Sequence, residues 1–383
     1  MSLDVIFQIF TGGWKNRLYS AGEICRKLDK IFPEIFPKAV IMGWNLESNL
    51  YTEVIDFLHR NGVRAYLWLP VFSETGELAE ADPAFTLTGH RMGGVKLQEG
   101  ESFEFYCPSS SKNFVILQEI YNRFFAESGF DGAFLDKIRS ASMIGGAGEI
   151  FGCCCPECVT FLKQKGVDLE KLKAYLEKGQ LAELMEPMSF SPTSGFTFRT
   201  KVMEDFLYAK CQLYASRTGQ VISWFKKRGL KTGLDIFAPA LCRLVGQSLE
   251  SLVDQVDFIK PMMYRRTKAP AGMEYEYQAV KTKLNDGEMF DEAIRRAGFQ
   301  NGMDSDELMG AQLEGYPEEI RRKLFPGLEV NNKKGIVEVE GDYIENSLRI
   351  IRKSGCGGAV LSWDIMQSSL LYMKAAGRQA KIC

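Results

Sequence analysis

Short apolar runs alternate with helix-period segments along most of the chain, and this alternation restricts the fold more than any other feature. Leu3–Phe10, Lys38–Trp44, Val63–Val71, Asp131–Asp136, Lys231–Phe237, Val256–Met263, Phe325–Val330 and Gly358–Trp363 read as strands. Helices are predicted between them at Ser20–Ile31, Leu50–Asn61, Lys112–Ser128, Lys201–Arg228, Ser248–Val253 and Tyr343–Ser354, several closed by a glycine just past their ends. Strands that alternate with helices pair in parallel through crossovers. The expected architecture is therefore α/β, an eight-stranded (β/α)8 TIM barrel with large loop insertions at about 73–107, 140–200 and 265–322, all within one domain spanning 1–383. A doubly wound open sheet is the competing arrangement, but no Gly-x-Gly-x-x-Gly follows the first strand.

Strand residues alternate between the helix-facing and the barrel-facing side. That parity turns Phe134 and Asp136 inward on the fourth strand, and Asp235 and Phe237 on the fifth. It turns Lys260, Met262 and Tyr264 inward on the sixth, Glu329 and Asn331 on the seventh, and Ser362 and Asp364 on the eighth. Gln8, Trp44, Tyr66 and Trp68 follow for the first three strands. The polar members sit near the C-terminal ends of their strands, the end where barrel active sites lie. Any one inward acid is readily explained as a partner for an inward Lys or Arg. Several acids converging on one face point to chemistry.

With 47 basic and 49 acidic side chains, the composition gives no sign of a nucleic-acid-binding surface. No apolar run reaches membrane-spanning length, and no secretory signal is evident, so a cytoplasmic location is expected. Only two histidines are present, His59 and His90, which argues against a His-rich hydrolytic metal centre and leaves carboxylates, lysines or tyrosines for catalysis.

Two carboxylates flanking an anomeric carbon are what glycoside hydrolysis requires. Asp136 is the expected nucleophile, kept ionised by Lys137, Arg139 or Lys260, and Glu329 is the expected acid/base. Asp235 is held in reserve for catalysis, and Asp364 for binding hydroxyls. Arg139, Lys260, Tyr264 and Asn331 complete the expected sugar contacts, with Trp44, Trp68 and Trp363 offering indole faces to a carbohydrate substrate. Packing under the loops is the plain alternative for each tryptophan. Two other functions fit the same barrel: a class I aldolase-like lyase forming a Schiff base on Lys260, and a carbohydrate-binding barrel without catalysis.

The insertion after the fourth strand contains Phe-Gly-Cys-Cys-Cys-Pro-Glu-Cys at residues 151–158. Cys155 and Cys158 form a Cys-x-x-Cys knuckle, and Cys153 precedes it by two residues. A closed tetrahedral zinc site needs a fourth soft ligand, for which Cys107 is a plausible donor, leaving Cys154 as a spare thiol. Reduced thiols without metal are the alternative.

Cys107 followed by Cys153-x-Cys155-x-x-Cys158 resembles the structural zinc site of the β-galactosidases of glycoside hydrolase family forty-two. The resemblance implies a structural zinc held by these four residues. Those β-galactosidases carry Asn-Glu at the end of the fourth strand, where this chain has Leu135-Asp136. The run Asp131-Gly132-Ala133-Phe134-Leu135-Asp136-Lys137-Ile138-Arg139 is more similar to a broader set of glycosidase-like barrels. Pro261-Met262-Met263-Tyr264 and Ser362-Trp363 resemble that set as well, and the resemblance implies Asp136 as a catalytic carboxylate.

Overall fold

In a computed structural model, which describes residues 3–93, 103–284 and 287–381, eight parallel strands close into a barrel. The strands are β1 (Asp4–Phe10), β2 (Ala39–Gly43), β3 (Arg64–Pro70), β4 (Gly132–Asp136), β7 (Lys231–Phe237), β8 (Phe258–Met262), β9 (Gly327–Glu329) and β10 (Gly358–Ser362). A two-stranded antiparallel hairpin, β5 (Pro187–Ser191) and β6 (Gly195–Phe198), lies outside the barrel. Around the barrel the order is β1-β2-β3-β4-β7-β8-β9-β10, and β10 pairs back on β1 with Asp4 opposite Gly358. The expected TIM-barrel architecture is therefore present, with every predicted strand found within about two residues of its expected ends.

The strands close because they are apolar on both sides, as parallel strands covered by helices must be. The inner layer is built from the alternate residues that parity selects. Phe134 of β4 stacks on Phe258 of β8 at 5.8 Å, and Tyr66 of β3 meets the same ring edge-on at 5.5 Å. Such fully buried rings contribute about 2 kcal/mol each from removal of apolar area from water. Gly327 makes room for a charged side chain among them: a Cβ there would lie 2.4 Å from Cε of Lys260. The helices are set by local chemistry. Ser20 and Glu23 form a capping box at the start of Ala21–Ile31, and Ser110, Ser305 and Ser369 cap three further helices.

The three excursions carry much of their own structure. The second holds the helices Pro156–Gln164 and Leu169–Glu177 and the β5–β6 hairpin. The third holds the helices Met273–Leu284, Glu288–Arg296 and Asp306–Glu314. Phe196 of the hairpin packs against Phe290 at 4.9 Å and Phe190 against Phe299 at 6.4 Å, so these two excursions share an apolar interface. Residues 94–102 of the first excursion and 285–286 of the third lie outside the described residues. At the opposite face of the barrel the Leu3 amide donates to the Ala380 carbonyl at 3.1 Å. Among the described residues, no helix is long and apolar enough to cross a membrane.

Candidate active site and cysteine cluster

A cavity of about 800 Å³, counting the solvent at its open mouth, lies at the C-terminal ends of the strands. Asp136 and Asp235 both line it, together with Trp68, Arg139, Tyr264 and Trp363.

Asp136 ends β4, where its Oδ2 accepts from Trp68 Nε1 at 2.9 Å and its Oδ1 from the Lys137 amide. The chain then turns sharply, because Lys137 adopts a left-handed φ of 50°. A non-glycine residue there costs about 1–2 kcal/mol. Its ammonium is paired with the wholly buried Glu74 and lies 4.2 Å from the Phe103 ring centre. Sequence reading missed Glu74, which sits in a loop with no strand or helix period to mark its direction.

Asp235 on β7 is 2 % exposed, and its Oδ2 accepts from Lys260 Nζ on β8 at 2.8 Å. Its Oδ1 has no hydrogen-bond partner among the described residues. Burial pushes this carboxyl up to about 7, with Lys260 opposing the rise and the negative Asp136 adding to it. Lys260 also donates to Gln8 Oε1 at 2.8 Å, and Ser362 Oγ donates to that same oxygen at 3.0 Å. Lys260 thus lies below the cavity rather than in its lining.

Glu329 is placed differently from the expectation. It points inward from β9, as parity predicts, but is fully buried and does not line the cavity. Its Oε1 accepts from the Arg266 amide at 2.7 Å, the Thr267 amide at 3.0 Å and Thr267 Oγ1 at 3.1 Å. Its Oε2 accepts from Tyr343 OH at 2.6 Å. These donors fix the loop after β8, and Thr267 and the following Ala269–Ala271 form one wall of the cavity.

Asp364 and Asn331 are also outside the lining. Asp364 accepts from Tyr19 OH at 2.7 Å and from the Met366 amide at 3.1 Å, capping the short turn that follows β10. Burial raises its carboxyl to about 6. Asn331 accepts from the Trp363 amide at 3.2 Å, which steadies that indole at the rim. The tryptophans divide in the same way. Trp68 and Trp363 line the cavity, and Trp363 meets Tyr264 edge-on at 6.3 Å. Trp44 is wholly buried against Trp68 at 5.0 Å and Phe10 at 5.1 Å, so its indole supports the wall from behind.

The four cysteines singled out by spacing come together beside this wall. Buried Cys107, Cys153, Cys155 and Cys158 place their Sγ atoms within 4.8 Å of one another. Cys107 lies 3.1 Å from Cys155 and 3.8 Å from Cys158. A tetrahedral thiolate site with metal–sulfur bonds of about 2.3 Å has sulfurs about 3.8 Å apart, so the cluster is of a size to hold a metal ion. Asn113 fixes the first ligand by donating to the Cys107 carbonyl at 3.0 Å. Cys155 sits at the N-cap of the Pro156–Gln164 helix, where the helix field favours a thiolate. Cys154 turns away, donating to the Phe151 carbonyl at 3.4 Å.

No family model matches the chain, and no curated protein sequence does. Among solved structures, it resembles the PgaB (BpsB) glycoside hydrolase domain from Bordetella bronchiseptica, with a TM-score of 0.57 and 14% identity over 95% of each chain. It also resembles the catalytic domain of β-amylase from Paenibacillus polymyxa, with a TM-score of 0.54 and 11% identity over the full length of both. At such identities the likeness is one of fold: this chain has the (β/α)8 barrel that these glycoside hydrolases have.

Proposed function

We propose that this protein is a glycoside hydrolase in which Asp136 and Asp235 are the catalytic pair. The observation that carries this reading is that two carboxyl groups on adjacent strands share one cavity in unlike surroundings. Asp136 accepts two N–H donors, which suits an acceptor-only carboxylate. Asp235 is buried, raised to about 7, and has an oxygen that no described residue engages. Unlike environments of this kind separate an acid from a base or nucleophile.

In the proposed reaction Asp235 donates its proton to the glycosidic oxygen as the bond from the anomeric carbon to that oxygen breaks. Asp136 either attacks the anomeric carbon or takes a proton from the water that does. Trp68 and Trp363 offer apolar faces to the sugar ring. Glu329, the acid/base expected from sequence, is assigned instead to positioning the Thr267–Ala271 wall, because its oxygens already hold four donors. For the cysteine cluster, the four-thiolate donor set suits zinc in a structural role.

The Schiff-base alternative has less support, since the Lys260 ammonium is bonded to Asp235 and Gln8 below the cavity. Turnover of a panel of 4-nitrophenyl glycosides, covering both anomers, tests the proposal. The wild type should release nitrophenol from at least one member, and Asp136→Asn and Asp235→Asn should not, with near-UV circular dichroism unchanged. Glycan binding without cleavage across the panel would reject the hydrolase. A borohydride-trapped carbonyl adduct on Lys260 would establish the lyase instead.

A further inference from the structure

Arg139 occupies an unusual position for a buried charge. It is 4 % exposed and lines the cavity beside Asp136 and Asp235. Its guanidinium lies over two aromatic rings, 4.5 Å from the Phe237 centre and 5.0 Å from the Phe105 centre. Its Nη1 donates to the neighbouring Ser140 carbonyl at 2.9 Å. No ion pair joins it to a carboxylate among the described residues, so Asp136, Asp235 and Glu276 act on it only through space. No protein acceptor for its Nε or Nη2 is found among the described residues.

A guanidinium taken out of water without a carboxylate partner costs several kcal/mol in a typical interior. Ring contacts return part of that, about 1–2 kcal/mol for a desolvated pair. Because Arg139 belongs to the cavity lining, its remaining donors are available to a ligand there. Lys137, whose ammonium is paired with Glu74, and Lys333 line the same cavity. The planar N–H donors of a guanidinium match a carboxylate better than a hydroxyl.

We propose that this cavity recognises an acidic sugar, and that Arg139 binds the carboxylate of a uronic acid residue. The proposal rests on the glycoside hydrolase reading and names its substrate class. Arg139 is placed where one ring carboxylate would lie against its free edge while the anomeric carbon reaches Asp136 and Asp235.

Calorimetry with free D-glucuronate, D-galacturonate and their neutral parents, glucose and galactose, tests this without turnover. The wild type should bind at least one uronate about 10- to 100-fold more tightly than its neutral parent, the worth of a charge-assisted hydrogen-bonded pair. Arg139→Gln should lose that preference, and Arg139→Lys should keep only part of it. If Arg139→Gln does not fold, the wild-type preference and the Arg139→Lys comparison still decide. Equal binding of acidic and neutral sugars, or a preference that survives in Arg139→Gln, overturns the proposal. Hydrolysis of a neutral aryl glycoside alongside equal binding would leave the hydrolase standing while removing its acidic substrate. Absence of both sugar binding and hydrolysis would remove both.

Discussion

Lys260 Nζ reaches across from β8 to lie 2.8 Å from Asp235 Oδ2 on β7, with both side chains buried. The register aligns these two residues directly, and the missing side chain of Gly327 gives the lysine stem its path. Removing the cation leaves a buried carboxyl with one less reason to ionise. Lys260→Met should therefore cost about 3–5 kcal/mol if Asp235 stays charged, and less where Asp235 can take up a proton. Denaturant titration at several pH values checks this: the loss should grow as pH rises.

The pH dependence of the parent protein has a definite sign. Burial lifts Asp235 from its ordinary 3.8 to about 7, so the folded state holds a proton that the unfolded state releases. The stabilisation from protonated Asp235 is fully present below about pH 4 and is lost as pH rises through about 7. Asp364, raised to about 6, contributes in the same direction. With Asp235 as general acid, kcat/KM should fall above pH 7. The upper limb should shift to higher pH in Lys260→Met, read from initial rates between pH 5 and 9.

Glu329 and Asp235 should separate under parallel substitution. Asp235→Asn is expected to lower kcat about 10²- to 10⁴-fold, and also to destabilise the fold by leaving the buried Lys260 ammonium without its carboxylate partner. Glu329→Gln keeps an acceptor for the Arg266 and Thr267 amides and should retain activity within about tenfold. Glu329→Ala strands four donors and should destabilise by about 3 kcal/mol or more. A kcat for Glu329→Gln as low as that of Asp235→Asn would return the catalytic role to Glu329.

Purified without chelator, the protein should contain about one equivalent of zinc, measured by elemental analysis; less than half an equivalent would argue against a closed four-thiolate site. Cys155→Ser should lower that content and release the loops around Cys107 and Cys153. Amide hydrogen exchange near Phe105 and Ala141, which pack in the same cluster as the cysteines, should accelerate while the barrel strands stay protected.

The barrel was legible because a parallel sheet writes itself in two periods: apolar runs for the strands and helix-period segments between them. Strand parity placed Asp136, Asp235 and Lys260 inside for the same reason, since each is in a regular strand. It also turned Glu329 inward but was silent on what Glu329 meets. Its donors come from Arg266, Thr267 and Tyr343, which are remote in sequence, and no local pattern reports whether an inward acid faces space or partners. Trp44 and Trp68 look alike in sequence, but Trp68 lies within β3 and lines the cavity, whereas Trp44 follows the end of β2 and packs edge-on behind it. Spacing marks Cys153, Cys155 and Cys158, whereas Cys107, remote in sequence, joins them as a plausible fourth donor and through the family resemblance.

The hydrogen bond between the Leu3 amide and the Ala380 carbonyl has a practical meaning for protein engineering. Leu3 and Ala380, held together on the face away from the cavity, need only a short peptide to join the segments that carry them. A circular permutant linked there and reopened in an exposed turn would preserve every barrel pairing. The same geometry places a reporter or surface anchor fused near either residue away from the cavity mouth.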